Sequence, residues 1–212
     1  MHIFTISAYQ FHNKVGLGYN YGTPSVSETQ TLIFSLLNLA EVVYTSTFGL
    51  RFYVTYLFVD ELNTRPYSAT ADTIMLNDFR RYWNTPKSPP QIDHTKIDRN
   101  IAYLLTAKSG QPGYAMYVGR LHNPANAQNS DAYAYNQYAS TEHCDKSTDG
   151  TWITMAHEIG HLLGAYDIRP PYTDGSLMCQ GGKTPANVWF SNISKNEINY
   201  FLNLHASVMS ML

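Results

Sequence analysis

The sequence is poor in cysteine: Cys144 and Cys179 are the only two, with no C-x-x-C pair, which excludes a cysteine zinc knuckle. It lacks any run of lysine or arginine and has a formal net charge of -2, so neither a nucleic acid nor an anionic membrane is expected as partner. No apolar stretch approaches the roughly 20 residues of a membrane span. The start, Met1-His2-Ile3-Phe4-Thr5, shows no basic region followed by an apolar core, so no signal peptide is visible there. No repeat or low-complexity block stands out. Charged residues make up 14% against 44% hydrophobic, the balance of a folded domain rather than a disordered chain. Tyrosine is abundant, 17 of 212 residues, and suits a wet, amphipathic surface such as that of a secreted protein. The length allows one sizeable core with a smaller lobe beside it.

Local patterns outline the elements. Ile3 to Tyr9 reads as a first strand. Ser25 and Glu28 form a capping box ahead of Ile33, Leu36, Leu37, Ala40, Val43 and Tyr44 at helical spacing. Gly49 ends that helix, and Leu50 to Val59 is the clearest strand, rich in β-branched and aromatic residues. A second helix fits Ala71 to Trp83 with Ile74, Met75, Phe79 and Tyr82 inward, broken by Thr85 to Pro90. Ile101 to Thr106 and Tyr114 to Val118 read as strands, and Leu121 to Asp149 as mainly loop. Ser194 and Glu197 suggest another capping box, opening a helix with Ile198, Phe201, Leu202 and Leu204 inward. The interleaving predicts an α+β fold, a mixed twisted sheet with flanking helices and a smaller C-terminal lobe.

The chemistry concentrates in one segment. Thr151 to Leu163 predicts a helix with Asp149 or Thr151 at its start and Gly164 at its stop. His157 and His161 lie four residues apart, so both imidazoles share one face and can hold one ion. Zinc takes two such histidines, a third protein ligand and a water. It lowers the pKa of that water, and Glu158 is placed to take its proton and pass it to a leaving amine. A random H-E-x-x-H arises in roughly one chain of this composition in a hundred. Gly164 three residues on, and Asp167 three beyond that, cut this to about a few in a hundred thousand. Glycine can turn the chain back without strain, so that Asp167 offers the third ligand oxygen; Asp174 is its rival. The remaining His94, His122, His143 and His205 read as surface or packing residues, with His143 the one nearest the site in sequence. Asn192-Ile193-Ser194 matches a glycosylation acceptor, a triplet common by chance. The two cysteines would form one bridge in an extracellular enzyme, or remain two buried thiols.

The run from His157 to Asp167 resembles the zinc motif of the metzincin metalloproteases, with Asp where most members carry His. Ser176-Leu177-Met178 resembles the Met-turn of that family, in which a methionine packs beneath the metal site. Asp98 to Thr106, Gly113 to Gly119 and Thr154-Met155-Ala156 are similar to segments of the adamalysin (reprolysin) branch. The resemblance spans about residues 25 to 205 and is most specific at 154–167. It implies a zincin-like fold in a single catalytic domain over 1–212, with an upper lobe to about 164 and a lower lobe from about 165. It implies a zinc endopeptidase, secreted and monomeric, with protein or peptide substrates paired along an edge strand at Gly113, Tyr114, Ala115, Met116, Tyr117 and Val118. A specificity pocket would lie against Pro185 to Val188. Within this picture a Cys144–Cys179 bridge would tie the loop before the zinc helix to the Met-turn. A metzincin-fold binding or toxin module with little catalysis is the alternative from another class, and cleavage of a peptide with and without chelator separates the two. Nothing in the sequence favours a non-peptide substrate.

Overall fold

The computed structural model describes residues 2–11, 25–60, 72–106, 113–122, 132–137, 148–169, 175–179 and 188–209. Among them are strands β1 (His2–Phe11), β2 (Leu50–Asp60), β3 (Ile101–Thr106), β4 (Gly113–Ala115) and β5 (Tyr133–Gln137), and helices α1 (Val26–Phe48), α2 (Asp72–Asn84), α3 (Thr148–Leu162) and α4 (Asn192–Met209). The strands form one sheet in the order β2-β1-β3-β5-β4. β1 is parallel to β2 and β3, and β3 to β5, while β4 lies antiparallel on the outer edge of β5. Parallel neighbours need long crossovers; α1 lies between β1 and β2 in the chain, and α2 between β2 and β3. The fold is the α+β arrangement that the sequence predicts.

α1 forms as its local signals dictate. Ser25 Oγ accepts from the Glu28 amide at 3.2 Å, and Glu28 accepts from the Ser25 amide at 2.7 Å. Gly49 closes the helix at φ 65°, donating to the Thr45 and Tyr44 carbonyls. Losing such an N-cap costs about 1 kcal/mol. The expected stripe from Ile33 to Tyr44 is buried. At 23 residues α1 has the length and apolarity of a membrane span, against the expectation that no stretch does. In this fold its stripe packs on β2 and α3.

Two apolar clusters sandwich the sheet. Ile101, Tyr103 and Leu105 join the larger one with α1 and α3, while Ala102 and Leu104 join the smaller one with α2 and Tyr133. β3 is therefore buried on both faces, which explains its unbroken apolar sequence. α2 packs through Met75, Leu76, Phe79 and Trp83, whereas Ile74 is 54% exposed; the expected face is rotated toward Trp83. Leu204, expected inward on α4, is likewise exposed.

β5 and the start of α3 fall inside Leu121 to Asp149, a stretch whose polar composition predicts mainly loop. The expected N-cap of α4 moves three residues upstream, from Ser194 to Ser191. Its helix opens at Asn192, and Ser191 Oγ accepts from the Ser194 amide at 3.1 Å. Glu197, freed from capping, instead accepts from the Tyr166 amide at 3.1 Å.

Candidate metal centre

α3 is buried on nearly every side, including His157 and Glu158. Gly160, in its last turn, is required by space. A Cβ there would stand 2.6 Å from Met178 Sδ and 3.3 Å from Tyr44 Oη. Fully buried Met178 thus sits directly beneath the helix, and Tyr44 Oη donates to the Ala156 carbonyl at 2.6 Å. α1 and the 175–179 turn together fix how α3 is rotated.

The helix ends as the glycine demands. Gly164 takes φ 97°, its amide donates to His161 O at 2.9 Å and that of Ala165 to Gly160 O at 3.0 Å, the paired bonds of a Schellman cap. Gly119 and Arg120 donate to the His161 and Leu162 carbonyls at 2.9 and 3.0 Å, satisfying the last turn from outside. Their recruitment also shortens the edge strand. β4 ends at Ala115, and Met116, Tyr117 and Val118, expected to continue it, lie in a bend.

The reversal after Gly164 returns Asp167 to the helix. Its Oδ1 lies 3.3 Å from His157 Nε2 and 3.5 Å from His161 Nε2. His157 Nδ1 donates to the Leu177 carbonyl and His161 Nδ1 to the Ala165 carbonyl, both at 2.8 Å. Those bonds put the ring protons on Nδ1 and leave both Nε2 lone pairs facing the carboxylate. A ring that also carries a proton on Nε2 becomes a donor to the carboxylate, and in that form His157 first, then His161, hold Asp167 far below the usual carboxylate range, against the effect of burial. Burial presses the His161 pKa down, but Asp167, Glu158 and the Ala165 carbonyl outweigh it and the net shift is upward.

Three potential ligand atoms thus lie within 4.8 Å of one another. Asp167 Oδ1 is buried without a hydrogen-bond partner, and what faces it are two more acceptors once the rings are neutral. Acceptors crowded together in this way are stabilised by a cation. Ligand atoms about 2.0–2.1 Å from a tetrahedral zinc stand roughly 3.3 Å apart, close to the two spacings found here. The group fits zinc.

Several elements of this arrangement escape the sequence reading. The Leu177 and Ala165 carbonyls are main-chain atoms and carry no residue signal. Tyr44, 112 residues from Ala156, reads only as core. Gly160 had a signal, a glycine inside a helical pattern, which points to close packing. Cys179 is buried beside the site, its residue bridged to Ile168. Cys144, His143, Asp174 and 185–187 lie outside the described residues. His94 and His122 are buried packing residues as expected.

The family model Reprolysin_5, described as metallo-peptidase family M12, matches residues 5–201. No curated protein matches the chain. Among solved structures, one titled as a chaperone-substrate complex superposes with a TM-score of 0.60 at 15% identity. The match covers 99% of this chain and 35% of that one, so this chain spans about a third of its length. At that identity the likeness is one of fold, and the α+β architecture is consistent with the zincin-like metallopeptidase fold.

Proposed function

The chain belongs to metallo-peptidase family M12, and from that premise we propose that it is a zinc endopeptidase of the metzincin type, close to the adamalysin branch, with His157, His161 and Asp167 as zinc ligands. The observation that carries the reading is the convergence of His157 Nε2, His161 Nε2 and the partnerless Asp167 Oδ1. Zinc held there would lower the pKa of a bound water toward neutrality and polarise the scissile carbonyl.

Glu158 acts as the proton carrier. It follows His157 on α3 and is buried at 5% exposure, next to β4. Its carboxylate takes the proton of the attacking water and delivers it to the nitrogen of the leaving amine. The Leu177 and Ala165 carbonyls hold the two imidazoles in register for the metal, and Met178 supports the helix from below.

The substrate lies along β4. Met116 N donates to Tyr133 O at 2.9 Å, and Tyr114 pairs with Tyr135. In an antiparallel ladder, hydrogen-bonded pairs alternate. Tyr114 and Met116 therefore turn their main-chain groups toward β5, and Gly113 and Ala115 turn theirs to the open edge. An extended peptide pairs with those two residues, and main-chain pairing suits many sequences. The same reading makes residues 1–212 one two-lobed catalytic domain, secreted and monomeric, with a Cys144–Cys179 bridge.

Cleavage of a quenched peptide, measured beside zinc content, tests the proposal. The zinc-loaded chain cleaves, chelation abolishes cleavage, and added zinc restores it. Glu158→Ala keeps its zinc and loses about a hundredfold or more in turnover. Retention of more than about a few per cent of turnover would overturn the role of Glu158. Zinc binding with no cleavage by the wild-type chain would favour a binding or toxin module.

A further inference from the structure

Gly113 begins β4 and lies against α3 at the level of Glu158. A Cβ on Gly113 would stand 2.6 Å from Glu158 Oε1, 2.6 Å from Thr154 Cγ2 and 2.9 Å from Glu158 Cγ. Its backbone does not take the left-handed conformation that favours glycine, so torsion alone would admit any residue. Space, not torsion, demands the glycine.

The walls of that space differ in stiffness. Thr154 Oγ1 donates to the Gly150 carbonyl at 2.9 Å, which fixes the rotamer and holds its methyl toward β4. Thr154 and Glu158 are four residues apart on one face of α3, a helix pinned by Tyr44 and Met178. Glu158 is the longer of the two side chains, and its atom nearest the added Cβ is at its far end. An added methyl would move the carboxylate before it moved the helix.

We propose that Gly113 is a positioning residue: the bare backbone of the substrate edge forms the wall that holds the Glu158 carboxylate in its working rotamer. The edge strand then does two things with one residue. Its outward main-chain groups receive the peptide, and its inner surface sets where the proton carrier stands relative to that peptide. Proton transfer requires heavy atoms within about 2.6–3.2 Å, and a misplacement of about 1 Å can cost a hundredfold in rate. The inference rests on the role of Glu158 given above.

The test is Gly113→Ala in the zinc-loaded chain, with zinc content, kcat and KM read separately. Zinc content stays at the wild-type value, and kcat falls about ten- to a hundredfold, by more than KM, which reports the main-chain pairing, changes. Thr154→Ser, which removes the facing methyl and keeps the hydroxyl, restores part of that kcat when combined with Gly113→Ala. In the Glu158→Ala background, Gly113→Ala lowers the residual rate no further. Unchanged kcat in Gly113→Ala, or a loss confined to KM, would overturn the proposal while leaving the role of Glu158 intact. Retention of more than about a few per cent of turnover in Glu158→Ala would instead overturn the role of Glu158 itself. Should Gly113→Ala fail to fold, the pair Gly113→Ala/Glu158→Ala decides. Recovered folding there means that the glycine accommodates the Glu158 side chain, and no recovery overturns the proposal.

Discussion

Two groups of buried polar side chains lie against opposite faces of the sheet, and they end their hydrogen bonds differently. On the α2 side, buried Arg99 donates to the His94 and Ile97 carbonyls at 2.8 and 3.1 Å and to Tyr133 Oη at 3.1 Å. Tyr133 Oη in turn donates to Asn84 Oδ1 at 2.6 Å, and the guanidinium lies 5.0 Å from the Trp83 ring centre. Donors meet acceptors along that chain, and the buried atoms left over beside it, Arg99 Nε and Trp83 Nε1, are N–H donors. On the α3 side, the ring N–H groups are occupied by the Leu177 and Ala165 carbonyls. What remains, two Nε2 atoms and Asp167 Oδ1, is three acceptors facing one another. A network of matched donors and acceptors holds the fold together, whereas acceptors aimed at one point suit a cation. Burial and polarity are common to both groups; the sign of the unsatisfied atoms separates them.

The largest effect that would break this contrast is at Asp167. Asp167→Ala removes one of three acceptors and should weaken zinc binding by more than the roughly 10–100-fold that losing an outer partner costs. Bound metal stabilises the folded chain by mass action. Chelation should therefore lower the melting temperature of the wild type and leave that of Asp167→Ala nearly unchanged at the same total zinc. Competition with a chromogenic chelator measures the affinity. Unchanged affinity would show that another residue completes the site, Asp174 first among them.

Tyr133→Phe is the matching probe on the other face, with a smaller effect. It withdraws one bond from Asn84 and one from the Arg99 guanidinium in a buried setting, a loss of about 1–3 kcal/mol. The loss should be the same with zinc and with chelator, and zinc content should not change. A destabilisation that appears only in the metal-loaded protein would mean that the two clusters are coupled through the sheet.

The two faces also differ in how far the sequence discloses them. The α3 site is written in consecutive residues, because helical spacing and one glycine turn suffice to bring His157, His161 and Asp167 together. The Ser25–Glu28 cap is local in the same way. The α2-side network joins Asn84, Arg99 and Tyr133, whose proximity depends on strand pairing that no local pattern encodes. β5 was missed for a related reason: Tyr133-Ala134-Tyr135-Asn136-Gln137 has the polarity of a loop, and becomes an inner strand by lying between β3 and β4. Glu197 shows the opposite failure. Its spacing from Ser194 satisfies a local rule, but the Tyr166 amide claims the carboxylate. Gly113 reads from the sequence only as strand edge, and its fit against Glu158 belongs to tertiary geometry alone.

The smallest expected effect sharpens the comparison through pH. His122 is buried near the Arg99 end of the α2-side network, its amide bonded to Asn100 O at 2.6 Å. Burial first, and then the Arg99 charge, push its pKa down to about 3. The unfolded chain protonates this ring near its ordinary value of about 6.5, and the folded chain does not. The contribution is therefore fully present above about pH 6.5 and is lost as pH falls from there toward 3. A fully developed difference of one proton amounts to at most about 1.4 kcal/mol per pH unit. His122→Gln removes the titration while leaving the main-chain bond. In zinc-free protein, where the metal ligands titrate alike in both chains, its urea midpoint should fall less between pH 7.5 and pH 5 than that of the wild type. Equal falls would mean that His122 takes up its proton without unfolding, and that the α2-side network is open enough to admit a second charge beside Arg99.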